Sequence, residues 1–142
     1  MIYTNLTKQA LKLCFEAHKE QVDKSGMPYV FHPFHLAEQM TDESTTVVAL
    51  LHDVVEDTEL TFDDLEKQDF GEEIISALKL LTHNDDTPYM DYVAKIKTDK
   101  IATTVKLADL KHNSDLSRLD VVDEKALNRK EKYEKAMKFL TE

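Results

Sequence analysis

An all-α, single-domain helical bundle over residues 1–142 is the architecture this sequence predicts, and three observations lead to it. Only two glycines and three prolines occur in the chain, too few turn residues for the many short strands of a sandwich or barrel. Apolar residues recur at three-to-four spacing in most segments, the period of one buried face of an α-helix. The length suffices for one core but not for two ordinary domains.

Leu6, Ala10, Leu13, Cys14 and Ala17 give the first helix its stripe, ending between His18 and Gln21. Gly26, Pro28 and Pro33 interrupt the next stretch and predict an ordered loop with His32 at its end. Pro33 suits a first helical position, and Leu36, Ala37 and Met40 continue that helix to about Thr41. From about Ser44, the run TTVVALLHDVVEDT is apolar nearly all round and predicts one continuous central helix. A buried strand is the competing reading, disfavoured by the length of the run and its lack of Gly and Pro. Thr61 with Asp64 forms a capping-box pattern opening a short helix that ends near Phe70 and Gly71. Further helices are expected over residues 72–82, from Thr87 as cap and Pro88 as first position through Ile96, around Ile101, Val105 and Ala108, and from Ala126 to Leu140. The acidic turn Asn84-Asp85-Asp86 lacks the ligand order of a calcium loop and reads as solvated. No repeat, low-complexity tract or linker divides the chain.

The 18 basic and 28 acidic residues leave a net charge of −10. Such a field repels nucleic-acid backbones, so an anionic small molecule would need a local cation to bind. Cys14, the single cysteine, permits no internal disulfide and no thiolate metal site; it falls on the apolar stripe as a small hydrophobe. With no apolar run near 20 residues and no signal-like start, a cytoplasmic protein with no membrane partner is expected. Homo-oligomerisation stays open.

His52 and Asp53 lie inside the apolar central run, where two ionisable groups without partners would cost several kcal/mol. A structural His-Asp hydrogen bond would satisfy an isolated pair. Here Asp53, Glu56 and Asp57 fall at i, i+3 and i+4, three carboxylates on one helical face beside an imidazole. A divalent cation accepts both donor types and relieves the repulsion, whereas a mere acidic face leaves His52 unexplained. His32, between Phe31 and Pro33, and Asp109, in VKLADLKHN, are further candidate ligands. Taken singly, His32 could only cap a helix and Asp109 could only pair with Lys106 or Lys111.

The motifs AHKEQVDKSGMPYVFHP at 17 to 33, ALLHDVVEDT at 49 to 58, the FG and LLT of 70 to 82 and VKLADLKHN at 105 to 113 come in that order. Together they resemble the hydrolase domain of the RelA/SpoT homologues, in particular the stand-alone small alarmone hydrolases, and imply a compact HD-domain helical bundle. The resemblance assigns His32, His52, Asp53 and Asp109 to one divalent ion, typically Mn2+, and Glu56 with Asp57 to orienting and deprotonating the attacking water. It assigns substrate contacts to Lys24, Ser25, Asn113, Arg129 and Tyr133. The implied substrate is a small nucleotide, guanosine tetra- or pentaphosphate, whose 3′-pyrophosphate is cleaved without a covalent enzyme intermediate. Arg129 and Tyr133, at i and i+4, can share one face, although a solvated arginine and a core tyrosine would look the same.

Asp23 stands where the family carries an arginine that packs on the nucleobase, and Leu110 and Leu116 replace further polar positions. A carboxylate there would repel phosphates, which predicts weaker discrimination between purines. Two rivals follow: a hydrolase of another nucleotide, such as a deoxynucleoside monophosphate or an adenine-based alarmone, and a noncatalytic nucleotide sensor. The intact Glu56 and Asp57 count against the sensor.

Overall fold

The computed structural model describes residues 1–142, and helices account for its regular structure apart from one isolated β-bridge, Val22 with Pro28. Helix α1 (Asn5–His18) starts at a capping box in which Thr4 Oγ1 accepts from Thr7 N and Thr7 Oγ1 accepts from Thr4 N. Its inward face carries Thr7, Ala10, Cys14 and His18. Cys14 is buried, and that burial pushes its thiol up to about 12, so it stays an inert hydrophobe. The loop that follows turns through Gly26, whose φ of +79° is the left-handed conformation glycine adopts freely.

Helix α2 (Phe31–Glu38) begins earlier than the sequence predicts. His32 lies in its first turn, not at the loop's end, and Pro33 occupies the third position. Amides in a helix's first turn have no intrahelical acceptor, so proline is accommodated there as well as at the first position. Helix α3 (Glu43–Leu51) is capped by Asp42, which accepts from Thr45 N at 2.8 Å. Every residue from Thr45 to Leu51 is buried. This helix packs on α1 and α2 and, from the other side, on α6 (Glu72–Leu81) and α8 (Lys100–Asn113).

The central run is not one continuous helix. It breaks after Leu51 and resumes as the single turn α4 (Val54–Asp57). His52 Nδ1 donates to Ala49 O at 2.7 Å, taking the carbonyl that the Asp53 amide would use in an unbroken helix. Asp53 sits at φ −108° and ψ −1°, yet Asp57 N still reaches Asp53 O at 2.9 Å. The kink therefore redirects the Asp53 side chain while keeping Glu56 and Asp57 one turn beyond it.

The capping box of Thr61 and Asp64 opens α5 (Phe62–Glu66), which ends before Phe70. Helix α7 (Tyr89–Ile96) differs from its expected start: Pro88 itself is the extended residue before the helix, and Thr87 provides no cap. Helix α8 is capped by Asp99, a 3₁₀ turn covers Leu116–Arg118, and α9 (Glu124–Thr141), capped by Asp123, closes the bundle against α8 and α7. The Asn84 turn is solvated as expected. No helix is long and apolar enough to cross a membrane.

Leu50 is fully buried in α3, the helix against which α1, α2, α6 and α8 pack. Leu50→Ala should lower the free energy of unfolding by about 3 kcal/mol in urea denaturation. A loss below about 1 kcal/mol would mean that the centre of the bundle collapses around the vacancy.

Candidate metal centre

Three separate elements bring the candidate ligands together. His32 comes from the first turn of α2, His52 and Asp53 from the break after α3, and Asp109 from the last turns of α8. Donor atoms of His32, His52 and Asp109 all lie within 4.8 Å of one another, and all three residues are buried. His32 Nε2 is 2.9 Å from Asp109 Oδ1, and His52 Nε2 is 3.5 Å from the same oxygen. Asp53 stands at the edge of this group, with Oδ2 3.0 Å from His52 Nε2 and 4.0 Å from His32 Nε2.

His52 Nε2 is buried and makes no hydrogen bond of acceptable geometry. Its Nδ1 already donates to Ala49 O, so in the neutral ring Nε2 is a bare lone pair facing carboxylate oxygens. Acceptors turned toward acceptors in a dry site need a proton or a cation between them. Two imidazole nitrogens and carboxylate oxygens form a donor set that fits a divalent first-row ion, and the group is positioned for one.

The electrostatics follow from burial opposed by partners. Burial disfavours a charged His52, yet the Asp53 and Asp109 carboxylates outweigh it and hold the imidazole well above its ordinary value. Burial works equally against Asp109, but Lys106 and the two imidazoles keep its carboxyl well below the usual range. Lys106 Nζ sits 3.0 Å from Asp109 Oδ2, over the Tyr92 ring, and Asn113 Nδ2 donates to Asp109 Oδ1 at 2.9 Å. Tyr29 donates its hydroxyl to Asp53 Oδ2, and His112 Nδ1 lies 2.7 Å from His32 Nδ1. His32, His52 and Asp109 thus each have a partner on an atom away from the cluster, whereas Tyr29 holds the same Asp53 oxygen that faces it, and these contacts fix the orientations.

Glu56 and Asp57 project from α4. Glu56 Oε1 accepts from His83 N at 2.8 Å. Both carboxyls are raised, first by burial and then by neighbouring carboxylates. Lys24, Ser25, Asn113, Arg129 and Tyr133 all line one cavity of about 360 Å³, together with His32 and Tyr29. Two of them carry structural duties there: Asn113 orients Asp109, and the Ser25 hydroxyl donates to Arg118 O at 3.1 Å.

The structure gives Asp23 partners that the sequence did not reveal. Its Oδ1 accepts from Ser25 N at 2.9 Å and Met27 N at 3.0 Å, stapling the loop, while Oδ2 faces Arg118 Nη2 at 3.9 Å. Sequence reasoning also left Tyr29, His112 and Arg118 out of the site and took Lys106 only as a surface partner. Tyr29 and Lys106 each precede a candidate ligand by three residues, a spacing that could have flagged them; Arg118 has no such signal.

Comparison with known proteins identifies the family. The HD-domain family profile matches residues 10–109. The chain belongs to the HD-domain family. It is 33% identical over 121 residues to the bifunctional (p)ppGpp synthase/hydrolase SpoT of Escherichia coli K12, covering 75% of this chain but 17% of that protein. It is 38% identical over 79 residues to the guanosine-3′,5′-bis(diphosphate) 3′-pyrophosphohydrolase of Aquifex aeolicus, covering 53% of this chain and 11% of the relative. The chain therefore spans less than a fifth of the length of these curated relatives. Among solved structures, a metazoan SpoT ortholog described as hydrolysing ppGpp superimposes with a TM-score of 0.80 at 24% identity, covering 99% of this chain and 87% of the other. That likeness establishes the fold.

Two outcomes follow. Chelation should lower the melting temperature of this HD domain by several degrees, and a divalent ion should restore it; melting indifferent to both would remove the metal centre. In the metal-free chain, Lys106→Met leaves Asp109 short of its counter-charge and should cost about 3 kcal/mol at pH 7. Because the Asp109 carboxyl is depressed in the folded state, its contribution is complete above the ordinary value of 3.8 and is lost as the pH falls below it. The gap between Lys106→Met and wild type should therefore narrow in acid, as read from urea titrations at pH 7 and below pH 4. A gap independent of pH would disprove the coupling.

Proposed function

We propose that this HD domain is a guanosine-3′,5′-bis(diphosphate) 3′-pyrophosphohydrolase, with Mn2+ held by His32, His52, Asp53 and Asp109. The observation that carries the reading is a buried ligand cluster flanked by a carboxylate pair and sharing His32 with a cation-lined cavity. The buried imidazole and carboxylate cluster is within electrostatic reach of the raised Glu56 and Asp57 pair. His32 of the cluster also lines a cavity with Lys24, Arg129 and Tyr133. The names of the SpoT and Aquifex aeolicus relatives support the same substrate.

A bound divalent ion would supply Lewis-acid polarisation of a phosphoryl oxygen and a lowered pKa for water. The chain's own residues do the rest. Neither Lys24 nor Arg129 takes part in an ion pair, so their charges are available to phosphate oxygens in a chain that otherwise repels them. Glu56 and Asp57 hold the attacking water, and their raised carboxyls are better proton acceptors than ordinary surface acids. His83 N fixes Glu56, while the Asp57 carboxylate carries no hydrogen bond and is the freer base. Water adds to the phosphorus joined to the ribose 3′ oxygen and gives up its proton to this pair. The bond from that phosphorus to the 3′ oxygen breaks, and the oxygen takes a proton. Guanosine 5′-diphosphate and pyrophosphate leave in equal amounts.

Incubation of the manganese-loaded chain with guanosine 3′,5′-bis(diphosphate), followed by chromatography, tests the reaction; orthophosphate, or no product, would rule it out. Glu56→Gln and Asp57→Asn should each lower kcat on the order of 10²-fold with metal content unchanged. If the ion is lost instead, the pair belongs among the ligands.

A further inference from the structure

The cations around the cavity differ in what surrounds them. Lys24 and Arg129 are unpaired, but the Arg118 guanidinium is held at several points. Its Nη1 donates to His112 O at 2.9 Å and lies 3.4 Å from Asn113 Oδ1, and its Nη2 faces Asp23 Oδ2 at 3.9 Å. The backbone is tied as well: Ser25 Oγ donates to Arg118 O and accepts from Asp120 N at 3.3 Å. About a quarter of the side chain stays exposed. Leu116, Leu119, Ala126 and Val22 line the same cavity.

We propose that Arg118, fixed by Asp23, His112 and Asn113, is the platform on which the purine base of the nucleotide stacks, and that it supplies preference for a nucleotide over its phosphate groups alone. This deepens the proposed function and takes the ligand's identity from it. A phosphate is the wrong partner for Arg118, because the Asp23 carboxylate offsets the guanidinium charge and would itself repel the anion. A purine carries no net charge. It gains from a flat, delocalised cation whose position is already set, and about a quarter of that side chain is exposed beside the cavity. Because the anchors order the side chain before the ligand arrives, little conformational entropy remains to be lost on binding. The apolar side chains of Leu116, Leu119 and Ala126 suit the edges of a ring better than an anion.

Calorimetric titration of the manganese-loaded chain with guanosine 5′-diphosphate and, separately, with inorganic pyrophosphate tests the assignment. Arg118→Leu should weaken guanosine 5′-diphosphate binding by roughly 10-fold and alter pyrophosphate binding by less than about 2-fold. Arg118→Lys retains a charge and a donor for the His112 carbonyl, which guards against loss of the fold, but lacks the plane. It should bind the nucleotide as weakly as Arg118→Leu. Equal weakening of both ligands would make Arg118 a phosphate or positioning group, and full nucleotide affinity in either variant would remove it from the base site. Neither titration requires turnover. A chain that binds the nucleotide through Arg118 but cleaves no alarmone would overturn the proposed function and leave this assignment standing.

Discussion

Two imidazoles and a carboxylate converge inside a helical bundle with a second carboxylate at their edge, and the rest of the structure is arranged around making that tolerable. None of the four could be buried alone without losing its charge or several kcal/mol of stability. Their mutual placement solves part of the problem, and Tyr29, Lys106, Asn113 and His112 solve the rest from outside. The helix break at His52 belongs to the same solution. By occupying the Ala49 carbonyl, the imidazole fixes its own orientation and ends α3 where Asp53 must turn toward His32 and Asp109.

Charge is sorted across the site. The chain carries a net −10, and the carboxylates near the cluster sharpen that excess, so binding an anionic nucleotide depends on positive groups set beside it. Lys106 is committed to Asp109, Arg118 is balanced by Asp23, and Lys24 and Arg129 are left with their full charge at the cavity. Cationic side chains therefore serve different purposes, according to whether a carboxylate stands opposite and which one it is.

Much of the site was legible because burial and charge conflict visibly in one dimension. A His-Asp pair inside a run as apolar as Val47 to Val54 demands compensation wherever the chain goes, and the ordered motifs around His32 and Asp109 named the partners. The capping box of Thr61 and Asp64 was equally legible, since it needs only local residues at fixed spacing. The early start of α2, the extended Pro88 and the break after Leu51 were not. Each is a choice between conformations that local sequence permits almost equally, settled by contacts made elsewhere.

The sequence by itself determined the all-α class, the buried central segment and the residues whose chemistry a metal would answer, because hydrophobic periodicity and residue type are properties of the chain alone. Only the tertiary structure decided what Asp23 and Arg118 do. They are 95 residues apart, and a carboxylate reads only as a repelling charge until its partner is in view. Folding brings the 3₁₀ turn after α8 against the loop before α2 through Ser25, Arg118 and Asp120. That long-range contact turns Asp23 into a loop staple and a counter-ion, since the meaning of a charge depends on the distance to the charge opposite.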